Sequence, residues 1–364
     1  MELIEVRTGR HLDEFIRLAP ALYSADPLYA PQLHSDMKKE FSPENPFFEH
    51  AEVKFFFIKG KGRVASIINR LHIERHGERA GFFGFFECVN DPPVAKALLN
   101  GVSDELRRAG LLIMRGPMNF STNEDCGFLI EGFNEPPMLM TPYNPPYYND
   151  LMTLYGMEKA KDLHAFIADI AEELPDKIVR VAGLARKNGI TVRPVDMKNF
   201  RRDMQTFREI YNSSWEDNWG FLPLTGGEVD FLSKRLRPVV VPELALIAEV
   251  GGEPAGFLGL LPDFNFVLRK IKGLLNPFTI PKAVYYSRKI RDLRLLLFGI
   301  KKEFRAKGVD ALLFSEGFRA IKKRGFKRVE FSWILEDNMP VLRLARMCGG
   351  RPYKRYRIYE KPLG

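Results

Sequence analysis

The chain repeats itself. Val94-Ala95-Lys96-Ala97-Leu98-Leu99, running on to Arg107-Arg108-Ala109-Gly110, aligns without a gap on Val309-Asp310-Ala311-Leu312-Leu313-Phe314, running on to Lys322-Lys323-Arg324-Gly325, 215 positions later. Each copy reads as one amphipathic helix. Apolar residues recur at helical spacing, basic residues fill the last turn, and a Gly follows where a left-handed cap sits. A strand comes next in both copies, at 111–114 and 328–334. Upstream, 55–58 and 64–68 flank a Lys59-Gly60-Lys61-Gly62 turn, as 244–248 and 255–258 flank Gly251-Gly252-Glu253. Both read as hairpins. Hairpin, strand, helix, strand and helix, twice over, predict an α/β fold with two tandem domains, 1–174 and 175–364. Each is a mixed, mostly antiparallel sheet flanked by helices. The 364 residues suffice for two cores, at roughly 100 to 200 residues per domain.

Charge divides the same halves. Residues 1–170 hold 18 Lys+Arg against 24 Asp+Glu and residues 171–364 hold 37 against 22, giving −6 and +15. That asymmetry points to an anionic partner for the second half: a phosphorylated cofactor, nucleic acid or a membrane surface. All six histidines lie in the first half, so chemistry confined to the second proceeds without imidazole. Cys88, Cys126 and Cys348, odd in number and widely spaced, fit neither a disulfide framework nor a zinc site. The opening residues lack a basic segment followed by an apolar one, and no run nears the roughly 20 apolar residues of a membrane span. A cytoplasmic location is expected.

In the second copy a strand at 293–298 leads through Gly299-Ile300 to Arg305-Ala306-Lys307-Gly308-Val309-Asp310 and then the repeated helix. A strand, a basic loop with a Gly and a helix N-terminus present unpaired N–H groups and the positive end of a helix dipole. Together these make a phosphate cradle. The plainer alternative is a solvated basic turn.

This region resembles the GNAT superfamily of acyl-CoA-dependent acyltransferases, whose pyrophosphate loop reads Arg/Gln-x-x-Gly-x-Gly/Ala at this junction. Arg305, Gly308 and Asp310 occupy the three anchor positions. Further on, where the family places an Asn, then Leu-Tyr, then Gly-Phe, the chain has Asn338, Leu344-Ala345 and Gly349-Gly350. With the duplication, the resemblance covers nearly the whole chain and matches the layout of tandem-GNAT proteins. It implies an N-acyltransferase using acetyl-CoA or a longer acyl-CoA, without metal, and a small-molecule or peptide amine as acceptor. The cofactor contacts it implies are Ile300, Arg305, Ala306, Lys307, Gly308, Val309, Asp310 and Asn338.

Two departures stand out. Asp310 replaces the small residue that lets pyrophosphate approach, and Ala345 replaces the tyrosine that many members use to protonate the leaving thiolate. They motivate a non-catalytic ligand-binding or partner-binding alternative. A Fem-type enzyme is another, with aminoacyl-tRNA on the basic half, although no long charged heptad hairpin is present. In the first copy, Glu87 and Asp91 replace the basic loop, which predicts that CoA does not bind there.

For the base that must take a proton from the amine, Glu330 is the leading candidate. It shares one strand face with Ser332, opposite Val329, Phe331 and Trp333; Glu303 and Tyr356 are further candidates. A carboxylate merely paired with a nearby Arg or Lys is the alternative. In the resemblance, the loop with Trp215, Asp217, Asn218 and Trp219 borders the acceptor, though the two tryptophans could equally form one helix face against the core. An insertion near 119–142 could act as a lid. The other, 262–292, has a net charge of +5 interleaved with aromatic and aliphatic residues, and its candidate roles are interdomain packing, a cover for an acyl chain or cofactor, and peripheral contact with anionic membrane.

Overall fold

A computed structural model describes residues 2–364. Thirteen strands form one sheet: β1 (Ile4–Glu5), β2 (Ala51–Ile58), β3 (Gly62–Asn69), β4 (Ala80–Cys88), β5 (Ile113–Gly116), β6 (Phe128–Glu131), β7 (Glu158–Asp169), β8 (Ile190–Pro194), β9 (Ala245–Val250), β10 (Glu253–Pro262), β11 (Asp292–Ile300), β12 (Arg328–Leu335) and β13 (Arg351–Pro362). Their order is β1-β2-β3-β4-β5-β13-β7-β12-β11-β10-β9-β8, with β6 beside β13. Only β4/β5 and β11/β12 run parallel. The hairpins close as their turns require. Gly251 and Gly252 both take left-handed backbone between β9 and β10, the conformation a two-residue hairpin turn demands.

Each half contains the predicted series: β2-β3 hairpin, β4, helix Pro92–Arg108, β5 and helix Tyr147–Leu154, then β9-β10 hairpin, β11, helix Val309–Arg324, β12 and helix Met339–Met347. The expected boundary at 174/175 lies in the link from β7 to helix Asp176–Lys187. The last strands are exchanged across that boundary. β7 ends the first half but pairs with β12, while β13 ends the second and pairs with β5; at the centre they pair with each other. This seam buries Leu163, Ala165 and Phe166 of β7 with Tyr356 and Ile358 of β13. Burial stabilises the seam by about 1.5–3 kcal/mol per large apolar side chain.

Helices cover both faces of each half. In the second, Asp176–Lys187 and Val309–Arg324 pack with Leu293, Leu295, Val329 and Phe331 on one face. Helices Phe200–Ser214 and Gly226–Leu236 pack over Ile247, Phe257 and Leu261 on the other.

Candidate active site

The parallel pairs are short. β11 pairs with β12 only from Asp292–Arg328 to Leu295–Phe331, after which β11 continues along β10 alone, past an irregularity opposite Gly259/Leu260. A V-shaped opening results. Lys301 N–H donates to Ala255 O (3.0 Å), and the two-residue alternation then turns the peptide groups of Phe298 and Ile300 away from β10 and into the V. Trp215 Nε1 donates to Phe298 O (3.2 Å) and Arg305 Nε to Ile300 O (3.3 Å). Among the described residues, no strand meets the N–H groups of Phe298 and Ile300, because β12 has already diverged.

The basic loop stands at the mouth. Ala306 (φ 59°) and Gly308 (φ 86°) are both left-handed, a backbone that gathers successive N–H groups into a concavity. Among the described residues, the amides of Ala306 to Ala311 donate to no protein acceptor, as helix N-termini leave them. Arg305 and Lys307 are exposed beside them, and Arg305 Nη2 also holds Ser214 O (2.9 Å). Gly308 is buried for a separate reason: a Cβ there would lie 3.1 Å from both Val181 Cγ1 and Ala185 Cβ, so the glycine also lets helix Asp176–Lys187 pack close. Val309 is core. Asp310 is exposed and caps nothing. The Asn338 side chain caps helix Met339–Met347 by accepting from Val341 N–H (3.4 Å). Ala345 is buried in the apolar core, with no polar group to offer.

At the floor of the V, Arg294 and Glu330 face each other in register. Both are buried, with Arg294 Nε 3.7 Å from Glu330 Oε1. Arg294 donates to Ser332 Oγ (3.0 Å), Leu139 O (2.8 Å) and Met140 O. Ser332 donates in turn to Glu330 Oε1. Glu330 Oε2, Trp333 Nε1 and the Tyr356 hydroxyl are buried without a hydrogen-bond partner. Lys354, brought from β13, donates to Pro136 O (2.6 Å). Burial pushes the Glu330 carboxyl up against the opposing pull of Arg294 and Lys354. Burial likewise brings Lys354 down to about 8 and lifts Asp263 to about 7. Tyr356 is pushed up by burial and by Glu330, which keeps its hydroxyl protonated. A carboxylate with a lone oxygen, a neutral phenol and two buried cations form the sort of perturbed cluster that proton-transfer sites use. Its cover is the first half's insertion, 136–141.

The expected acceptor loop divides. Trp215 closes on the V, but the helix before it ends at Ser214, so the two tryptophans do not share a helix face. Trp219 crosses to the first half, with the Arg115 guanidinium 5.3 Å and Lys161 Nζ 5.6 Å from its ring centre. Asp217 is exposed and pairs with Lys302 (2.8 Å), and Asn218 forms a turn with Trp215 O (2.9 Å). Glu303 lies exposed in the turn before the loop.

Two features escaped the sequence reading. The first is a narrow apolar crevice of about 30 Å³ between β9–β11 and helices Phe200–Ser214 and Gly226–Leu236. Val195, Met204, Leu236, Leu261, Leu296 and Leu297 are among its walls. Leu296 and Leu297 are where the V opens, and Leu293 and Leu295 point into the opposite core, so the crevice and Arg294 share a face. The second is Arg294 itself, an Arg inside Leu-Arg-Leu-Leu-Leu-Phe directly beside the strand of Glu330; that interruption of an apolar run was the available signal.

The first half lacks the counterpart. Its V is closed by hydroxyls. The Tyr148 hydroxyl accepts from Cys88 N–H (2.8 Å) and donates to Glu87 Oε2 (2.9 Å), Tyr23 donates to the same carboxylate oxygen (2.7 Å), and Tyr147 donates to Cys88 O (2.8 Å). Burial pushes Glu87 up. Arg115, which stands where Glu330 stands in the second half, is held by Glu78 (2.8 Å) and Glu360 (2.8 Å).

Two α/β repeats, each with a parallel strand pair that diverges beside a helix N-terminus, give the chain a tandem GNAT fold. A tandem GNAT protein from the clavulanic acid biosynthesis pathway superposes with a TM-score of 0.58 at 12% identity, over 100% of this chain and 99% of that one. Closer kinship is in sequence. The bacterial ceramide synthase of Caulobacter vibrioides is 34% identical over 375 residues, covering 100% of this chain and 98% of that protein. Protein YghO of Escherichia coli is 32% identical over 363 residues, covering 97% and 93%. The chain belongs to the family of these two proteins. No protein-family model matches it.

Proposed function

We propose that the protein is an acyl-CoA-dependent N-acyltransferase that joins a long acyl chain to the amine of a long-chain amino alcohol. The observation that carries this reading is the buried Arg294–Glu330 pair at the floor of the V, on the same face as the apolar side chains of Leu296 and Leu297 that line a narrow crevice. The name of the Caulobacter relative supports it, since a ceramide is the N-acyl derivative of such an amino alcohol.

In this reading the amides of 306–311, with Arg305 and Lys307, hold the CoA phosphates. The N–H groups of Phe298 and Ile300 pair with the pantetheine arm after Trp215 releases Phe298 O and Arg305 releases Ile300 O. The acyl chain lies along Leu296, Leu297 and Met204. Binding draws the cover 136–141 aside and places the amine against Glu330. Its nitrogen forms the new bond to the thioester carbonyl carbon and gives one proton to Glu330 Oε2. The carbon–sulfur bond breaks, and the departing thiolate takes a proton from Tyr356, which substitutes for the tyrosine missing at Ala345. Proton return from Glu330 to Tyr356 restores the site.

The test is amide formation, measured by mass spectrometry with a series of acyl-CoAs and a long-chain amino alcohol. Long acyl donors should give product. Glu330→Gln should lower kcat by about 10²–10⁴ while leaving CoA binding intact. Absence of amide with every donor, or a fully active Glu330→Gln protein, contradicts the proposal.

A further inference from the structure

We infer that the segment from Phe264 to Arg291 is a docking surface for anionic membrane. It forms two short helices, Asn265–Ile271 and Ile280–Ser287, projecting from the edge between β10 and β11. The second helix buries none of its residues. Leu274, Leu275, Phe278, Ile280, Val284 and Tyr285 are all exposed, Phe278 to 91%. Packing against the other half, one of the roles expected from sequence, therefore does not account for these side chains.

The charge around them has one sign. From Phe264 to Arg291 there are seven Lys and Arg and no Asp or Glu. Lys270, Lys272, Lys282, Arg288, Lys289 and Arg291 are exposed. An acidic protein surface would match this charge, but it offers no apolar interior for a side chain as prominent as Phe278. A bilayer of anionic lipid matches both features: headgroups for the cations, hydrocarbon for the apolar tip, and the interfacial zone for Tyr285 and Tyr286.

The surface is rooted in the cover of the candidate site. Asn265 Nδ2 donates to Met138 O (2.8 Å) and Pro137 O (3.1 Å), and Asp263 Oδ1 accepts from Leu139 N–H (2.9 Å). Leu139 O in turn accepts from Arg294. Docking here sets the cover of the V facing the bilayer, the source of any lipid acceptor. The surface itself rests on exposure and charge alone, independent of the acyl-transfer reading.

The test is co-sedimentation of the full chain with vesicles, either phosphatidylcholine alone or one part phosphatidylglycerol to three parts phosphatidylcholine. Binding is expected to the anionic vesicles only and should weaken as salt is added. Phe278→Asp should lower the partition coefficient roughly tenfold or more, the factor that burying one Phe side chain supplies. Lys282→Glu with Lys289→Glu should abolish the preference for anionic lipid. Circular dichroism of each variant reports folding, which such exposed positions leave unchanged. Equal binding to both vesicles, binding to neither, or undiminished binding of folded Phe278→Asp overturns the inference. Loss of vesicle binding with amide synthesis from detergent-dispersed substrate intact would leave the acyl-transfer reading standing.

Discussion

Arg294→Met removes the cation from the floor of the V. In the native protein that guanidinium lies 3.7 Å from Glu330 and hydrogen-bonds Ser332, Leu139 O and Met140 O, with Arg294, Glu330 and Ser332 themselves buried. Removing one partner of a buried ion pair costs roughly 3–5 kcal/mol, because the other charge stays behind uncompensated. Glu330→Gln should cost less, about 1–2 kcal/mol, since the amide still accepts from Ser332 and Arg294 keeps its carbonyls. The double variant should be more stable than the sum of the singles predicts, by roughly 1–3 kcal/mol, because a neutral amide on β12 needs no counter-charge. The pH dependence has a definite sign. Burial already lifts the Glu330 carboxyl, and losing Arg294 lifts it further. A folded-state pKa above the unfolded one favours folding at low pH, and that advantage disappears as pH rises through it. The deficit of Arg294→Met should therefore be smaller at about pH 5 than at about pH 8. Equilibrium urea unfolding of the four proteins, followed by tryptophan fluorescence, measures both quantities. Strict additivity together with a deficit independent of pH refutes the coupled buried pair.

Other consequences concern the cofactor loop and the crevice. Arg305→Glu should weaken CoA binding about tenfold or more, as loss of a charge-assisted hydrogen bond implies, whereas Asp310→Gly, which removes an exposed anion that caps nothing, should strengthen binding or leave it unchanged; isothermal calorimetry with CoA checks both. Met204→Trp narrows the crevice beneath β11 and should shift donor preference toward shorter acyl-CoAs in competition assays, with little change for acetyl-CoA.

Much of this architecture was legible because it rests on local patterns. The repeated helix, both hairpins and the strand-loop-helix junction were marked by periodicity and by glycines at turns and caps. Glu330 was legible as a candidate through its face shared with Ser332. The exchange of β7 and β13 was not, because alternation fixes which face of a strand is buried and leaves its neighbour undetermined. Lys354 and Asp263 gave no signal either. Charged residues are ordinarily exposed, and their burial follows from the first half's 136–141 segment folding over the second half's strands. Trp215 and Trp219 were read together because they are four apart, a spacing that has meaning only within a helix, and the helix stops at Ser214.

The central claim is that the second half's diverging strand and basic loop hold the acyl donor. Amide hydrogen exchange with and without a long-chain acyl-CoA tests it most directly. The N–H groups of Phe298, Ile300 and residues 306–311 should become protected, with no change at 87–93 in the first half. Protection at 87–93, or an unchanged 298–311 segment at saturating donor, contradicts the account.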